Sequence, residues 1–484
     1  MLETSKHRTN SSGFVTFTAL LAVLAAGCVH REDFHAPVRP LPRAADSTGP
    51  VSIQGPLTEA TVLRALVRNN PSLAALEGKA RAADAAVDQV RASFYPVLDA
   101  NVNYLRADAP SAYFFKRIDA RKLQFQGTDF NDPGAFSDVE AGLNLRWNLY
   151  AGGRDQLRSW AAEVGAESVR AQLTALKNHL ASQALLSMVH VRLARALAAA
   201  HEQSVRSVEA QIAEARIRVE GGTLLRSDLL SLQVRLAEAK ERRIRSQLAE
   251  RRAETALREL LDLPADTALD IPDESHLVPD LPADAEAALE KAWTTREDLR
   301  AARLLVKARR MEVEAAARAW LPTIDLQARL YGNTAETSLD FGDADWTVGL
   351  GLGYRVADGG ARSAALQRAR GALDAALAES RRLEASAARQ VRDAWLAITE
   401  AEQRLEVART ALAAAEESFR LVTAQYEGGA ATITRYLEAE SQRTGAKARE
   451  IAARLDLEAA RIGAAGALGF WNSLETPSKE SESK

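Results

Sequence analysis

Most of this chain is written twice, and the evidence is a constant offset between matching landmarks rather than a general likeness of composition. Asn70-Pro71-Ser72-Leu73 is matched by Arg296-Glu297-Asp298-Leu299, and Tyr95-Pro96-Val97-Leu98-Asp99 by Leu321-Pro322-Thr323-Ile324-Asp325. Both pairs share a shift of 226 positions (73 to 299, 96 to 322). Further on the shift falls to 207: Gly152-Gly153 is matched by Gly359-Gly360, and Glu220-Gly221-Gly222 by Glu427-Gly428-Gly429. The stretch between the glycine pairs therefore has one length in both halves. The 19 residues by which the shifts differ (226 against 207) belong to a single loop.

That loop joins two strands in each half. Leu98, Ala100, Val102 and Tyr104 alternate with Asp99, Asn101 and Asn103. Val139, Ala141, Leu143, Leu145, Trp147 and Leu149 alternate with Glu140, Asn144, Arg146 and Asn148. The second half repeats this with Ile324, Leu326, Ala328 and Leu330 against Asp325, Gln327 and Arg329, then Trp346, Val348, Leu350, Leu352 and Tyr354 against Thr347 and Arg355. A period of two gives each strand one apolar and one polar face, and about ten residues suits a tilted membrane span. Four such strands cannot close on themselves. Open edges in lipid would strand backbone N–H and C=O groups at several kcal/mol each, so the chain must oligomerise. Three copies would supply twelve strands. A soluble sandwich with one solvated face has the same alternation, but nothing else in the sequence supplies its second sheet.

The remainder reads as helix. Between Gly153 and Gly221 about seventy residues run without proline, rich in Ala, Leu, Arg and Glu, and would extend about 100 Å. Val205, Val208, Ile212, Ala215 and Val219 follow three-four spacing, as do Leu405, Ala408, Leu412, Ala415, Phe419 and Val422 in the duplicate. Such spacing specifies left-handed knobs-into-holes packing. After each distal glycine pair the chain turns back, with Leu225, Leu229, Leu232 and Leu236 marking the first returning helix. Pro264, Pro272, Pro279 and Pro282 confine the connection between the halves to loops and short helices. The expected organisation is an export leader at 1–27, a linker at 28–56, a first repeat at 57–263, the proline-rich connection at 264–284, a second repeat at 285–471 and a polar tail at 472–484.

An apolar fraction of 47% is enough for a real core, and a formal charge of -3 leaves no basic surplus to draw the chain onto nucleic acid. Lys6, His7 and Arg8 precede a short apolar stretch from Phe14 to Ala26, the pattern of a cleaved leader rather than a spanning helix. It ends at Ala25-Ala26-Gly27-Cys28, where the sole cysteine of the chain offers a thiol for acylation. The segment resembles a bacterial lipobox, with Leu24 one position earlier than the usual pattern. Val29 stands where an Asp would hold a lipoprotein at the inner membrane, which implies transfer to the outer membrane.

In this order and at constant offset, the strand exits Asn148-Leu149-Tyr150-Ala151-Gly152-Gly153-Arg154 and Val356-Ala357-Asp358-Gly359-Gly360-Ala361-Arg362, with the two hairpin turns, resemble the outer membrane factor family of TolC-like channels. The resemblance covers residues 57 to about 471. It implies a mainly helical protomer of a homotrimer, whose twelve strands form an outer-membrane β-barrel continued by a periplasmic α-helical barrel. It implies a duct for efflux or export, fed by an inner-membrane pump through a periplasmic adaptor protein, with outer-membrane lipid around it. No catalysis and no cofactor are expected beyond a covalent lipid on Cys28. The tips at Gly221, Gly222, Gly428 and Gly429 would meet the adaptor. The stretch from Tyr426 to Ala439 is similar to the segment that constricts the closed channel, which places Tyr426, Thr434, Arg435 and Glu438 at the aperture. Glu438 would form a ring of three carboxylates selecting cations. Ala431 and Arg435 depart from the residues of one known salt-bridge latch, and Arg435 and Glu438, three apart on a helix, could pair instead.

Other signals are bland. Gly349, Gly351 and Gly353 recur at every second residue of a strand and do not open a helix, so they are small channel-facing residues rather than a nucleotide loop. His179, His190 and His201 repeat every eleven residues, about 16 Å apart along a helix and too distant to share a metal. Three methionines, Met1, Met188 and Met311, are few for a soft-metal duct. The rival reading is a lipid-anchored periplasmic adaptor or coiled-coil scaffold, which would carry one hairpin and soluble β domains.

Overall fold

The computed structural model describes residues 55–273, 280–334 and 344–473. Cys28, the leader, most of the linker and nearly all of the polar tail lie outside them. Helix α1 (Glu59–Asn69) is capped by Thr58, whose Oγ1 accepts from Thr61 N–H at 3.4 Å. Asn70 then ends α1 and starts α2 (Pro71–Arg91): its Oδ1 accepts from Ser72 N–H at 2.9 Å, and Pro71 sits at the first helical position, where a missing N–H costs nothing. Strand β1 (Val97–Ala107), helix α3 (Pro110–Asp119) and strand β2 (Phe136–Tyr150) follow, then the long helices α4 (Arg154–Glu220) and α5 (Arg226–Leu260). The second half gives α6 (Ala285–Thr295), α7 (Glu297–Ala317), β3 (Thr323–Thr334), β4 (Asp345–Gly353), α8 (Ala361–Glu427) and α9 (Ile433–Ala467). The duplication holds to the residue. α6 and α7 begin 226 positions after α1 and α2 (59 to 285, 71 to 297), while α8 and α9 begin and end 207 after α4 and α5 (154 to 361, 260 to 467). Long helices are 67 residues in each half and returning helices 35.

The structure divides into two compact units. One comprises Ala85–Glu163 and Ala308–Leu373 and holds an antiparallel sheet in the order β1-β2-β3-β4. Its register pairs Leu98 with Leu145, Trp147 with Leu326 and Leu326 with Leu350, so these apolar side chains share one face. Asp99, Asn144, Arg329 and Thr347 line up across the other. The apolar face has no cover: Leu98 is 62% exposed, Leu350 69% and Leu352 74%. Gly349, Gly351 and Gly353 fall on the polar face, opposite Gln327, Asp325 and Thr323. Three details differ from the sequence reading. The loop between β1 and β2 contains helix α3. A bulge between Asn148 and Tyr150 interrupts the β2 alternation, and β4 ends at Gly353, short of Tyr354 and Arg355.

The second unit is built from Val164–Lys307 with 55–84 and 374–473. Its main core joins Leu57, Val62, Leu66 and Leu73 to Leu185, Met188 and Val189 of α4, Leu257 and Leu261 at the end of α5, Leu455 and Ile462 of α9, and Trp471. Arg195 ties this core to the connection: it bonds Glu254 (2.6 Å) and the Leu269 carbonyl (2.7 Å), while Arg258 also reaches Glu254 (3.1 Å). Burial works to raise the Glu254 carboxyl above its ordinary 4.5, but the hydrogen bonds from the two arginines prevail and hold it below.

Two predictions follow from these local arrangements. Gly152 and Gly359 both take positive φ (68° and 63°), but a Cβ on Gly152 would stand 2.8 Å from Leu321 Cβ, whereas none of the atoms around Gly359 lies within 4 Å. Gly359→Ala should cost about 1 kcal/mol of backbone strain, and Gly152→Ala about 1–3 kcal/mol, with the clash in addition. Equal shifts in the thermal midpoints of the two purified variants would show that this junction relaxes freely. A carboxylate with a lowered folded pKa contributes stability that is complete above its unfolded value and lost as pH falls through the folded one. Glu254→Gln should therefore flatten the acid side of the stability profile below pH about 5 and lower stability at neutral pH, both readable from thermal midpoints taken across pH.

Candidate functional site

The two helical turns are built alike. In the first, Gly222 N–H donates to the Val219 carbonyl (3.1 Å) and Thr223 N–H to the Arg218 carbonyl (2.8 Å). In the second, Gly429 N–H donates to Tyr426 (3.1 Å) and Ala430 N–H to Gln425 (2.7 Å). This pattern satisfies the last carbonyls of a helix and needs a left-handed residue, supplied by Gly222 (φ 71°) and Gly429 (φ 76°). Gly221 and Gly428 have no such requirement: their N–H groups donate to Ile217 and Ala424 in ordinary helical fashion. Only one glycine of each pair is dictated by the backbone. The turns differ where the return helix starts. Thr432 caps α9 by accepting from Arg435 N–H (3.4 Å), whereas Leu225 in the matching place offers no cap and is 70% exposed. Leu225, expected on the returning apolar stripe, instead stands at the tip.

Behind the turns, Val208, Ile212 and Ala215 of α4, Leu232 of α5, Val422 of α8 and Ile433, Tyr436 and Ala439 of α9 form one apolar cluster. Tyr426 is half-buried against it, its ring 5.1 Å from that of Tyr436 and 5.6 Å from the Arg218 guanidinium of α4. Tyr436 accepts a hydrogen bond from Gln211 at 2.7 Å and packs on Phe419, which Arg443 covers at 3.9 Å. Burial raises the pKa of both tyrosines, opposed at Tyr426 by Arg218 and reinforced at Tyr436 by Glu440, so both remain neutral phenols. The cluster thus brings Tyr426 onto the α4 helix of its own chain. Thr434, Arg435 and Glu438 lie together on the opposite, exposed side of α9. Among the described residues Arg435 and Glu438 make no ion pair with each other, so the pairing suggested by their spacing is not formed.

Sequence reasoning passed over the carboxylate two residues further on. Glu440 is wholly buried, and its Oε2 receives Arg235 Nη2 of α5 at 2.9 Å. Its Oε1 accepts from Thr444 Oγ1 at 2.9 Å and from Ser204 Oγ of α4 at 3.4 Å. Arg235, itself buried, also reaches Glu238 at 3.2 Å. A single ion pair therefore ties together the two returning helices, α5 and α9. The signal was present: Glu440 falls in phase with Ile433 and Tyr436, and Arg235 with Leu229 and Leu232, charges on positions that three-four spacing reserves for apolar residues. Closer to the core, Arg192 of α4 and Glu458 of α9 form a second pair of this kind. Among the described residues no group of His, Cys, Asp and Glu converges to hold an ion. No described helix is long and apolar enough to cross a membrane.

Comparison with known proteins agrees with this geometry. The chain is 22% identical over 423 residues to the outer membrane efflux protein BepC of Brucella suis, covering 87% of each. It superposes on a membrane protein from Pseudomonas aeruginosa with a TM-score of 0.74, at 23% identity over 85% of this chain and 93% of that one. On the open state of the MtrE outer membrane channel of Neisseria gonorrhoeae the TM-score is 0.72, at 20% identity over 86% and 90%. The family model described as outer membrane efflux protein matches residues 62–262 and 288–469, one stretch in each repeat. The chain thus belongs to the outer membrane efflux protein family and is a channel component of the outer membrane.

Proposed function

We propose that three copies of this chain join β4 of one to β1 of the next, closing a twelve-stranded barrel whose interior passes substrate handed on by an adaptor and an inner-membrane pump. The observation that carries this reading is the four-stranded sheet itself: an uncovered apolar face, a polar face, and two edge strands in need of partners. An adaptor or scaffold has no use for such a sheet, and the two hairpins of equal length suit the wall of a tube better than a single coiled arm. The duct contributes no reaction of its own. Its hairpin turns around Gly221, Gly222, Gly428 and Gly429 are the proposed adaptor contacts, and an acyl group on Cys28 is the proposed second hold on the outer membrane. Met188 is buried in the core rather than lining a path, which favours cargo other than soft metal ions. Detergent-extracted protein should run as a trimer and form pores in planar bilayers; protein that stays monomeric and inert would exclude the reading. Loss of incorporated palmitate in Cys28→Ser tests the anchor separately.

At the proposed aperture, Thr434, Arg435 and Glu438 form the solvated face of α9, while Arg235 and Glu440 hold that helix to α5 behind it. Any widening that separates the two returning helices breaks a buried ion pair. Glu438→Ala should reduce cation selectivity or alter conductance in bilayers, and unchanged values of both would remove Glu438 from the aperture. Glu440→Gln leaves the Arg235 charge buried without a full partner and should cost about 3–5 kcal/mol, with a lower thermal midpoint and a raised basal conductance. The double variant Arg235→Met/Glu440→Leu should recover most of that stability. Failure to recover would assign the loss to the Ser204 and Thr444 contacts rather than to the uncompensated charge.

A further inference from the structure

The 19 residues by which the first repeat exceeds the second are not needed for the barrel or the hairpins, and the structure gives them a definite place. Helix α3 and the segment after it lie against the polar face of the sheet, at the strand ends opposite the helix junctions. Lys116 Nζ reaches Glu140 Oε2 (2.7 Å) and Asp138 Oδ2 (3.3 Å) of β2 and Asn333 Oδ1 (2.9 Å) of β3. Arg121, just beyond the helix, pairs with Asp345 of β4 at 3.2 Å. Tyr113 packs edge-on against Phe136, their centroids 5.4 Å apart. Every one of these partners belongs to the polar face, as the register shows: Glu140 lies opposite Asn333, and Asp345 opposite Tyr331. The clamp is partly dry, with the Asp138 side chain 5% exposed and that of Lys116 23%.

Helical periodicity fixes what looks the other way. Tyr113, Lys116 and Ala120 share the side of α3 turned to the sheet, and Ser111, Phe115 and Ile118 the side turned from it. Phe115 is 63% exposed and Ile118 42%, two large apolar side chains held away from a surface that is itself polar. In a closed barrel the polar face is the inner one, so these residues point towards the axis and cannot reach lipid. Twelve strands about 4.8 Å apart and tilted about 40° give a backbone diameter of roughly 24 Å. That width is measured between backbones, and the inward side chains together with three helices each about 10 Å across at this rim take up most of it. Three copies of α3 therefore leave little open lumen at this rim.

We propose that the three α3 segments form an apolar collar of Phe115 and Ile118 at the outer mouth of the channel, held inward by Lys116 and Arg121. This rests on the trimeric barrel argued above. A ring of this kind excludes water and small hydrated ions and yields to molecules that can wet it, which makes amphiphilic organic cargo the class it admits. The channel then has a constriction at the far end besides the aperture proposed around Glu438.

Full-length protein in planar bilayers tests the collar. Phe115→Ser/Ile118→Ser alters only exposed side chains and should raise the conductance to small ions about twofold or more. Lys116→Met should give currents that fluctuate between the two levels. Phe115→Cys treated with a short bismaleimide should yield covalently linked copies, with the wild type, whose only cysteine is Cys28, as the control. Wild-type pores whose conductance the double serine variant leaves unchanged overturn the collar while sparing the trimer, whatever the crosslinking result. Wild-type protein that forms no pore overturns the trimer and the collar together.

Discussion

The rest of the structure depends on the hydrogen-bonding requirement of a four-stranded sheet with one greasy face. In lipid a free strand edge has no water to turn to, so β1 and β4 impose an oligomer on a chain that has an ample core elsewhere. That requirement also accounts for the polarity of the faces. Once edges are shared between copies the sheet curls shut, and residues such as Asn144, Arg146 and Arg329 that would be ruinous against hydrocarbon acquire a wet interior. The exposed Leu350 and Leu352, a liability in a soluble monomer, become the lipid-facing band.

Duplication then makes the two halves each other's control. Where they agree to the residue, as in the 67-residue helices and the left-handed Gly222 and Gly429, geometry common to both is being kept. Where they part, a local task has intervened. Gly152 is crowded by Leu321 and Gly153 by Arg318, while Gly359 and Gly360 stand in open space. Thr432 caps its helix and Leu225 does not. The largest divergence is the insertion carrying α3, whose contacts reach strands from both repeats at once, Asp138 and Glu140 in one and Asn333 and Asp345 in the other.

Periodicity made the architecture legible because strands with a wet and an oily face and helices with a three-four stripe write their burial directly into residue order. Glycine pairs marked the turns for a physical reason as well: both members at the strand exits Gly152-Gly153 and Gly359-Gly360 take positive φ, but only the second of each pair, Gly222 and Gly429, at the hairpin turns. Side-chain pairing between distant elements was not legible. Glu438 and Glu440 are near neighbours on one helix. Phase with Ile433 and Tyr436 marks Glu440 as the inward one, but nothing in the local sequence says that it meets an arginine 205 positions away. Helix α3 escaped for a related reason: ten residues rich in aromatics, between two strands, owe their helical form to the clamp on Lys116 and the packing of Tyr113 as much as to propensity.

The buried charges deserve their place by another argument than stability, since an apolar pair of the same volume would often hold two helices at least as well. The contact stripes here are rich in alanine, among them Ala215, Ala239, Ala408, Ala439, Ala446 and Ala453. Small, uniform knobs specify little about register, because a helix shifted by one heptad finds nearly the same surface. Arg235 with Glu440, and Arg192 with the partly exposed Glu458, can each be satisfied in one alignment only, and any slip leaves a buried charge without its partner. The pairs thus select one register among near-equivalents along these helices. Helices this long and this rich in alanine need that alignment more than they need further adhesion.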